Sequence, residues 1–327
     1  MDINEIARRA GVSRATVSRY LNNGYVSQEK RELISRIIRE TGYVPSQHAQ
    51  QLRTGKTRLV GVVIPKINSQ SVSRMVAGIT DVLGENNYQV VLANTNNNEH
   101  TEVDFLNLFA KRNHVDGMIL IATQFTNAHH AAIKHLRVPL VVLGQRLPGH
   151  DCVYHDDYHA VFDLTSLALR SSRTPGYLGV FEEDQSAGHE RRRGFVDACA
   201  AAGISLAPEA MRVVSFDADS GYFGAEQILD ALPEVDAIVC ATDDIAFGAT
   251  MCMIEYGKRV PEDVQITGVG DSLLSRITHP SLTTAHLPFK TSGMEAARLL
   301  LHRIESGNAP VQEIKMGYEV YARNSIR

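Results

Sequence analysis

The 327-residue sequence contains no tryptophan, so no indole is available as a platform for a ligand. It has four cysteines, Cys152, Cys199, Cys240 and Cys252, all far apart and none in a C-x-x-C pair. That spacing excludes a zinc ribbon or a dithiol redox centre. Cys240 and Cys252 sit within apolar runs and are expected to be buried thiols in a reduced compartment. No apolar stretch approaches the length that spans a membrane. The opening segment lacks the apolar core of a signal peptide, so a cytoplasmic protein is expected. Also missing are G-x-S-x-G, H-E-x-x-H, a phosphate-binding loop and a dinucleotide fingerprint. Asp156-Asp157 and Asp243-Asp244 are adjacent carboxylates, which diverge in a strand or helix and rarely act together as acid and base. His129-His130 reads as part of a surface helix without further ligands. The expectation is no enzyme, no metal and no cofactor.

Charge is unevenly spread. The chain carries net −4, yet residues 1–60 hold 11 basic and 5 acidic side chains, net +6, leaving −10 for the remainder. A basic head on an acidic body can grip a phosphate backbone with one end.

The head reads as three short helices. Asp2 caps the first, with Glu5 placed to reach back to the free amides, and Ile3, Ile6, Ala7 and Ala10 recur at helical spacing. Gly11 interrupts where the chain needs positive φ. Ser13 caps a second helix to Leu21, with Val12, Val17 and Leu21 inward. Ser27 caps a third, with Leu33, Ile34, Ile37 and Ile38 inward, closed by Thr41-Gly42-Tyr43 and Pro45. A tight turn between the first two helices makes a helix-turn-helix. The outer face of the second helix offers Arg14, Ala15, Thr16, Ser18 and Arg19, and no acidic residue occurs from Ala10 to Gln28. Small and hydrogen-bonding groups with two guanidinium forks suit base edges and phosphates. A helical cap with no nucleic-acid role explains neither feature.

From Leu59 onward apolar runs alternate with helical stretches. The runs are Leu59–Ile64, Gln89–Ala93, Gly117–Ile121, Leu140–Leu143, Tyr177–Phe181, Arg212–Phe216, Ala237–Ala241 and Ile266–Val269. Helices are read at Ser73–Glu85, Glu102–Lys111, His159–Leu169, Arg192–Ala201, Gly221–Leu232 and Ile245–Tyr256. Such alternation predicts parallel sheets covered on both faces. Eight strands fit two open sheets better than one barrel.

The run from Asp2 to Thr57 resembles the headpiece and hinge of the lactose repressor (LacI/GalR) family. It carries I-A-x-x-A-G-V-S-x-x-T-V-S-R-x-L-N, then V-S, G-Y-x-P and A-x-x-L, with Asn4-Glu5 as a departure. The resemblance implies base readout from Arg14 and Ala15 with Arg19 in support, and Ser13, Thr16, Ser18 and Ser27 at the same DNA surface. It also implies a hinge at 46–57 that orders on operator DNA, with Ala49 facing the minor groove and Leu52 wedged into a base step. Further markers are V-D-G-M-I-L at Val115–Leu120, R-x-x-G-F at Arg191–Phe195, A-T-D-D-I-A-F-G at Ala241–Gly248, V-P-E-D-V at Val260–Val264 and P-S-L-T-T at Pro280–Thr284. These resemble the periplasmic-binding-protein-like body of that family, an α/β structure of two Rossmann-like lobes. The implied division is 1–45 for the headpiece and 46–57 for the hinge. One lobe takes 58–157 plus 289–317, and the other takes 158–288 plus 318–327.

Ligands of open α/β sheets bind beyond the carboxyl ends of strands. The expected effector residues there are Ser69, Gln70 and Ser71 after the first strand and Gln145 after the fourth. Arg191, Phe216, Thr242, Asp243 and Asp271 complete the set. Arg191 matches the arginine that forks onto effector hydroxyls. Phe216 fits a sugar-stacking ring or the core. Asp243 and Asp271 fit ligand contacts or helix caps. Gly270 stands where the family commonly has the ligand-binding Asp, so either Asp271 swings in or that contact is lost. The implied function is a homodimeric repressor of carbohydrate genes on near-palindromic operator DNA, switched by a mono- or oligosaccharide. A ligand acting as co-repressor, and a sugar-binding protein, are the alternatives. An exported solute-binding protein would need a signal peptide and no headpiece. The usual C-terminal tetramerisation repeat is not seen, which favours a dimer.

Overall fold

A computed structural model describes residues 2–22, 24–43, 56–110, 115–307 and 309–327. The hinge segment Ser46–Leu52, with Ala49 and Leu52, lies outside the described residues. The chain divides into two compact units, Met1–Arg58 and Leu59–Arg327.

The first unit holds α1 (Ile3–Arg9), α2 (Arg14–Leu21) and α3 (Gln28–Thr41). Ile6, Val17, Ile34 and Ile37 fill its centre, with Val12, Leu21, Leu33 and Ile38 packed around them. Asp2 accepts from the Glu5 N–H at 2.9 Å. Glu5 does not reach back to complete a capping box. Its carboxylate instead takes Arg8 at 2.7 Å and Arg9 at 3.0 Å, the stronger charge-assisted partners one turn away. Gly11 and Gly42 carry φ of 57° and 61°, the left-handed values that end α1 and α3. Ser27 sits at the start of α3 but makes no side-chain cap hydrogen bond, a correction to its expected role.

The second unit contains two six-stranded sheets among the described residues. The first is built from β1 (Leu59–Ile64), β2 (Gln89–Asn94), β3 (Gly117–Ile121), β4 (Leu140–Leu143), β5 (Asp151–His155) and β11 (Glu313–Met316). Its order is β11-β5-β4-β3-β1-β2, parallel throughout. The second is built from β6 (Pro175–Gly179), β7 (Met211–Val213), β8 (Ala237–Cys240), β9 (Gln265–Val269), β10 (Thr283–His286) and β12 (Glu319–Tyr321). Its order is β12-β10-β9-β8-β6-β7, parallel except for β12 on β10. The chain passes between sheets at His155–Asp157, His286–Phe289 and Met316–Glu319.

Four strands escape the apolar pattern: β5 and β10 because their polar groups are satisfied internally, β11 and β12 because they are edge strands with exposed residues. Asp151 in β5 receives Arg303 through two contacts of 2.7 Å and the Gln312 N–H at 2.9 Å. Thr284 in β10 donates to Asp243 at 2.5 Å. A hydroxyl or carboxylate paired this way has its desolvation cost offset by its partners, so alternation of apolar residues is not required. The helical stretches also begin earlier than apolar periodicity indicates, because each opens with a polar turn at its cap. The helix read at His129-His130 is α6 (Asn127–Lys134), and two helices, α11 (Leu273–Ile277) and α12 (Phe289–Ser306), were not read. His129 in α6 is buried, not superficial, 3.2 Å from Glu102.

The helices that flank the coming site are locked by glycine. Between the strands lie α4 (Gln70–Glu85), α5 (Glu99–Phe109), α7 (Asp157–Ala168), α8 (Arg191–Ala201), α9 (Ala218–Ala231) and α10 (Asp243–Glu255). Helices α4 and α12 touch backbone to backbone. A Cβ on Gly78 would lie 2.0 Å from the Lys290 carbonyl oxygen, and one on Gly293 2.0 Å from that of Met75. Gly248 of α10 approaches Ala218 of α9 in the same way, at 1.8 Å. Interiors this dense transmit rather than absorb an added methyl group. Gly293→Ala is therefore expected to destabilise the second unit by about 1–3 kcal/mol. Thermal denaturation reads this, and an unchanged midpoint would contradict the close approach.

Candidate functional site

The headpiece presents one surface of interest. Ser13 Oγ accepts from the Thr16 N–H at 3.2 Å and lies 2.9 Å from Thr16 Oγ1, so both hydroxyls are spent on starting α2. Ser18 is half-buried, with Asn22 folded back onto its carbonyl. Arg14, Ala15 and Arg19 remain exposed on the outer face. In the same unit Tyr25 is 91% exposed, an aromatic that helix-based reading passes over because it lies in the loop after Gly24. Ser27 is exposed as well.

In the second unit, loops at the carboxyl ends of both sheets surround a cleft of about 660 Å³. Helix N-termini point into it, as the parallel topology dictates. From one lobe come Ser69, Gln70 and Ser71, with Ser69 capping α4 through the Val72 N–H. From the other come Arg191, Phe216, Thr242 and Asp243.

Two expected members do not line the cleft. Gln145 is buried, its amide donating to the Thr123 carbonyl and to Asp184 at 3.2 Å. Asp271 is turned away entirely. Its carboxylate contacts Arg276 and Arg323 at 2.5 Å each and His286 at 3.1 Å, with a backbone φ of 46°. Those two guanidinium groups hold the carboxyl down at about 2 against its burial. Asp271 therefore does not swing in to replace the side chain missing at Gly270.

The cap alternatives fail too. Thr242 caps α10 and Ser272 caps α11, each one residue from the expected aspartate. Asp243 instead accepts from the Ser272 N–H at 2.7 Å and the Thr284 hydroxyl, tying α10 to the loop after β9. Burial raises its carboxyl above the ordinary range.

Arg191 opens α8 after a single π-helical turn, Gln185–Glu190, a departure frequent at functional positions. It is only 7% exposed. Nε donates to Asp157 at 2.7 Å, Nη2 lies 2.7 Å from the same oxygen, and Nη1 donates to the Ala241 carbonyl at 2.5 Å. Three of the five guanidinium N–H groups are thus committed, leaving one on each Nη. Phe216 is half-buried, edge-on to Phe181 at 5.9 Å, and still faces the cleft. It serves core and cleft at once.

Sequence reasoning missed Lys66, Arg74, His155, Asp157, Asp184, Asp244 and Phe289, which also line the cleft. Only Asp157 and Asp244, within the Asp156-Asp157 and Asp243-Asp244 pairs, had drawn notice. The carboxylates of the first pair do diverge: Asp156 meets His159 and Lys315, while Asp157 meets Arg191. The loop Asp184–Glu190 gives no periodic signal.

Asp184 accepts from the N–H groups of Ala187 at 2.8 Å and Ser186 at 3.1 Å. Burial nevertheless pushes its carboxyl up to about 6. Its ionisation therefore opposes folding, from the ordinary carboxylate range near pH 4 upward and fully above about pH 6. Asp184→Asn keeps the accepting oxygen and removes the charge. It is expected to raise stability at about pH 7.5 by about 1–3 kcal/mol, with the gain vanishing towards about pH 4. Melting curves across this range check it, and a pH-independent difference would refute the assignment.

Comparison with known proteins places this geometry. A model of the bacterial regulatory proteins of the lacI family matches residues 2–46, and one of a periplasmic binding protein-like domain matches residues 165–326. The sucrose operon repressor of Staphylococcus xylosus is 35% identical over 305 residues, covering 93% of this chain and 94% of the relative. A structure of the transcriptional regulator CelR in complex with cellobiose is 28% identical, with a TM-score of 0.76 over 99% of both chains. The lac repressor dimer bound to operator and the anti-inducer ONPF shares the fold at a TM-score of 0.90, covering 99% of this chain and 98% of that one, at 24% identity. With a relative this similar over nearly its whole length, and with the helix-turn-helix and two-sheet body in the matching order, this chain belongs to the LacI family of bacterial transcription regulators.

Proposed function

We propose that the chain is a homodimeric, sequence-specific repressor of carbohydrate-utilisation genes, whose affinity for operator DNA is set by a saccharide in the cleft. The observation that carries this reading is the pairing of two surfaces on one chain. One is an acid-free helix with Arg14, Ala15 and Arg19 turned outward; the other is a cleft in which polar side chains stand among a mainly apolar lining, large enough for one or two sugar rings. Relatives named for sucrose and ribose operons, and a cellobiose complex, support a saccharide as the ligand. In this reading residues 1–45 bind DNA and 46–57 form the hinge, with Ala49 and Leu52 in the minor groove. One lobe comprises 58–157 plus 289–317 and the other 158–288 plus 318–327. The protein works in the cytoplasm, binds its sugar without turning it over and uses no cofactor.

Dimerisation has physical support in the second lobe. Leu273 and Ile277 of α11 are exposed large apolar side chains outside the cleft, and Met251 and Ile254 of α10 and Leu274 of α11 are exposed at its border, all on two helices of the same lobe. Apolar groups gathered this way mark an interaction surface. A two-fold dimer presents two headpieces to a near-palindrome.

The switch is linkage between two binding sites. Effector binding favours one arrangement of the lobes, and that arrangement disfavours the paired hinges. Arg14→Ala is expected to weaken operator binding by about 1–3 kcal/mol, with a smaller loss on random DNA in gel-shift titrations. Equal losses would reduce Arg14 to a phosphate contact. Arg191→Ala is expected to abolish the response of operator binding to the saccharide, because a buried Asp157 then loses its partner and the cleft loses two donors. If saccharides that bind the purified chain leave operator affinity of the unmodified protein unchanged, the proposed function is wrong.

A further inference from the structure

We infer that Arg74, His155 and Phe289 form a hydrogen-bonding subsite that reads one hydroxyl group of the saccharide, in the corner of the cleft where Gly270 supplies no side chain. The inference rests on the cleft being the effector site.

Arg74 lies in the second turn of α4 and reaches across to the other lobe. Nη2 donates to the Gly270 carbonyl at 2.5 Å, and Nη1 lies 3.4 Å from the Asp271 carbonyl. Its guanidinium carbon sits 5.0 Å from the centre of the Phe289 ring. The far side of this grip is itself held, since the Asp271 carboxylate is clamped by Arg276 and Arg323. The near side is held by the backbone contact of Gly78 with Lys290, which sets α4, carrying Arg74, against the start of α12, carrying Phe289. The guanidinium is therefore positioned from both lobes. Its Nε is buried and has no hydrogen-bond partner among the described residues.

His155 is the last residue of β5, where the chain leaves the first sheet. It is 5% exposed, and its ring meets the same Phe289 edge-on at 5.1 Å. Nε2 is likewise buried without a partner among the described residues. Burial pushes the imidazole down to about 4, against the pull of Asp157 and with the repulsion of Arg191 and His286. The ring is neutral at ordinary pH.

More than nine in ten buried polar groups in folded proteins are paired, because an unpaired one forfeits its hydration with nothing in return. Two orphan nitrogens on residues that share one aromatic ring, and that both line the cleft, mark a subsite completed by ligand. The chemistry selects the ligand group. Guanidinium only donates, whereas a neutral imidazole nitrogen accepts or donates according to tautomer. A hydroxyl does both, so it accepts from Arg74 Nε and satisfies His155 Nε2 in either tautomer. A ring carbon bearing only hydrogen leaves both unmet. Where the family resemblance implies an accepting carboxylate at position 270, this chain presents a donor fixed across the cleft.

The test measures affinities of the unmodified chain, His155→Phe and Arg74→Gln by titration calorimetry. The ligands are sucrose, cellobiose and ribose, then the monodeoxy analogues of whichever binds. Each variant is expected to lose about tenfold in affinity for the full saccharide, the worth of one hydrogen bond. Towards the single analogue that lacks the bridged hydroxyl, variants and unmodified chain should bind alike. A uniform loss across all analogues, as from a general packing defect, overturns the subsite, and so does no loss at all. Arg191→Ala separates this from the reading beneath it. If that variant binds the saccharide as tightly as the unmodified chain, or if no saccharide of the panel binds, the cleft as sugar site is what fails.

Discussion

The guanidinium of Arg191 is held against Asp157 at 2.7 Å and donates to the Ala241 carbonyl at 2.5 Å. These contacts join the first turns of α7 and α8 to the end of β8, three segments that meet at the cleft. Two charges this deeply buried are stable only as a pair, because removing one leaves the other desolvated at a cost of about 3–5 kcal/mol. Their positions are therefore tightly constrained, and the cleft floor with them. The same rule governs the rest of the site. Asp243 is satisfied by Ser272 and Thr284, and Asp271 by Arg276, Arg323 and His286. The polar lining is thus largely pre-paired, which leaves recognition to the few N–H groups and hydroxyls not already used.

This arrangement links binding to the relation between lobes. Arg74 crosses from one lobe to carbonyls of the other, as does Ser186 to the Gly144 carbonyl at 2.8 Å and Gln145 to Asp184 at 3.2 Å. Each of these contacts depends on how closely the sheets' carboxyl ends stand. A ligand that competes for or adds to such bonds shifts the equilibrium between lobe arrangements by its differential affinity, and by no more than that.

The outline of the fold was readable from residue order because periodicity and caps are local signals. Asp2 and Ser13 cap as expected, and Gly11 and Gly42 turn the chain as expected. Eight strands were found from apolar runs, six of them buried on both faces and two, β2 and β7, partly exposed at the sheet edges. The four that were missed carry Asp151, Thr284 or Glu313, whose partners lie far along the chain, or, in β12, Glu319, which accepts from Tyr321 on an exposed edge strand. Distance in sequence also explains the errors at the site. Nothing local to Asp271 shows that Arg323, 52 positions away, takes its carboxylate. Nor does anything around Gln145 show that its amide turns inward. Arg74, His155 and Phe289 belong to three separate elements, and no motif spans them.

By itself the sequence determined the headpiece, the two-sheet body and the family, since these follow from propensity, periodicity and short motifs that act within a few residues. Only the tertiary structure decided which polar side chains face the cleft. Burial makes every donor and acceptor compete for partners across the whole chain, and that competition is settled by proximity in space.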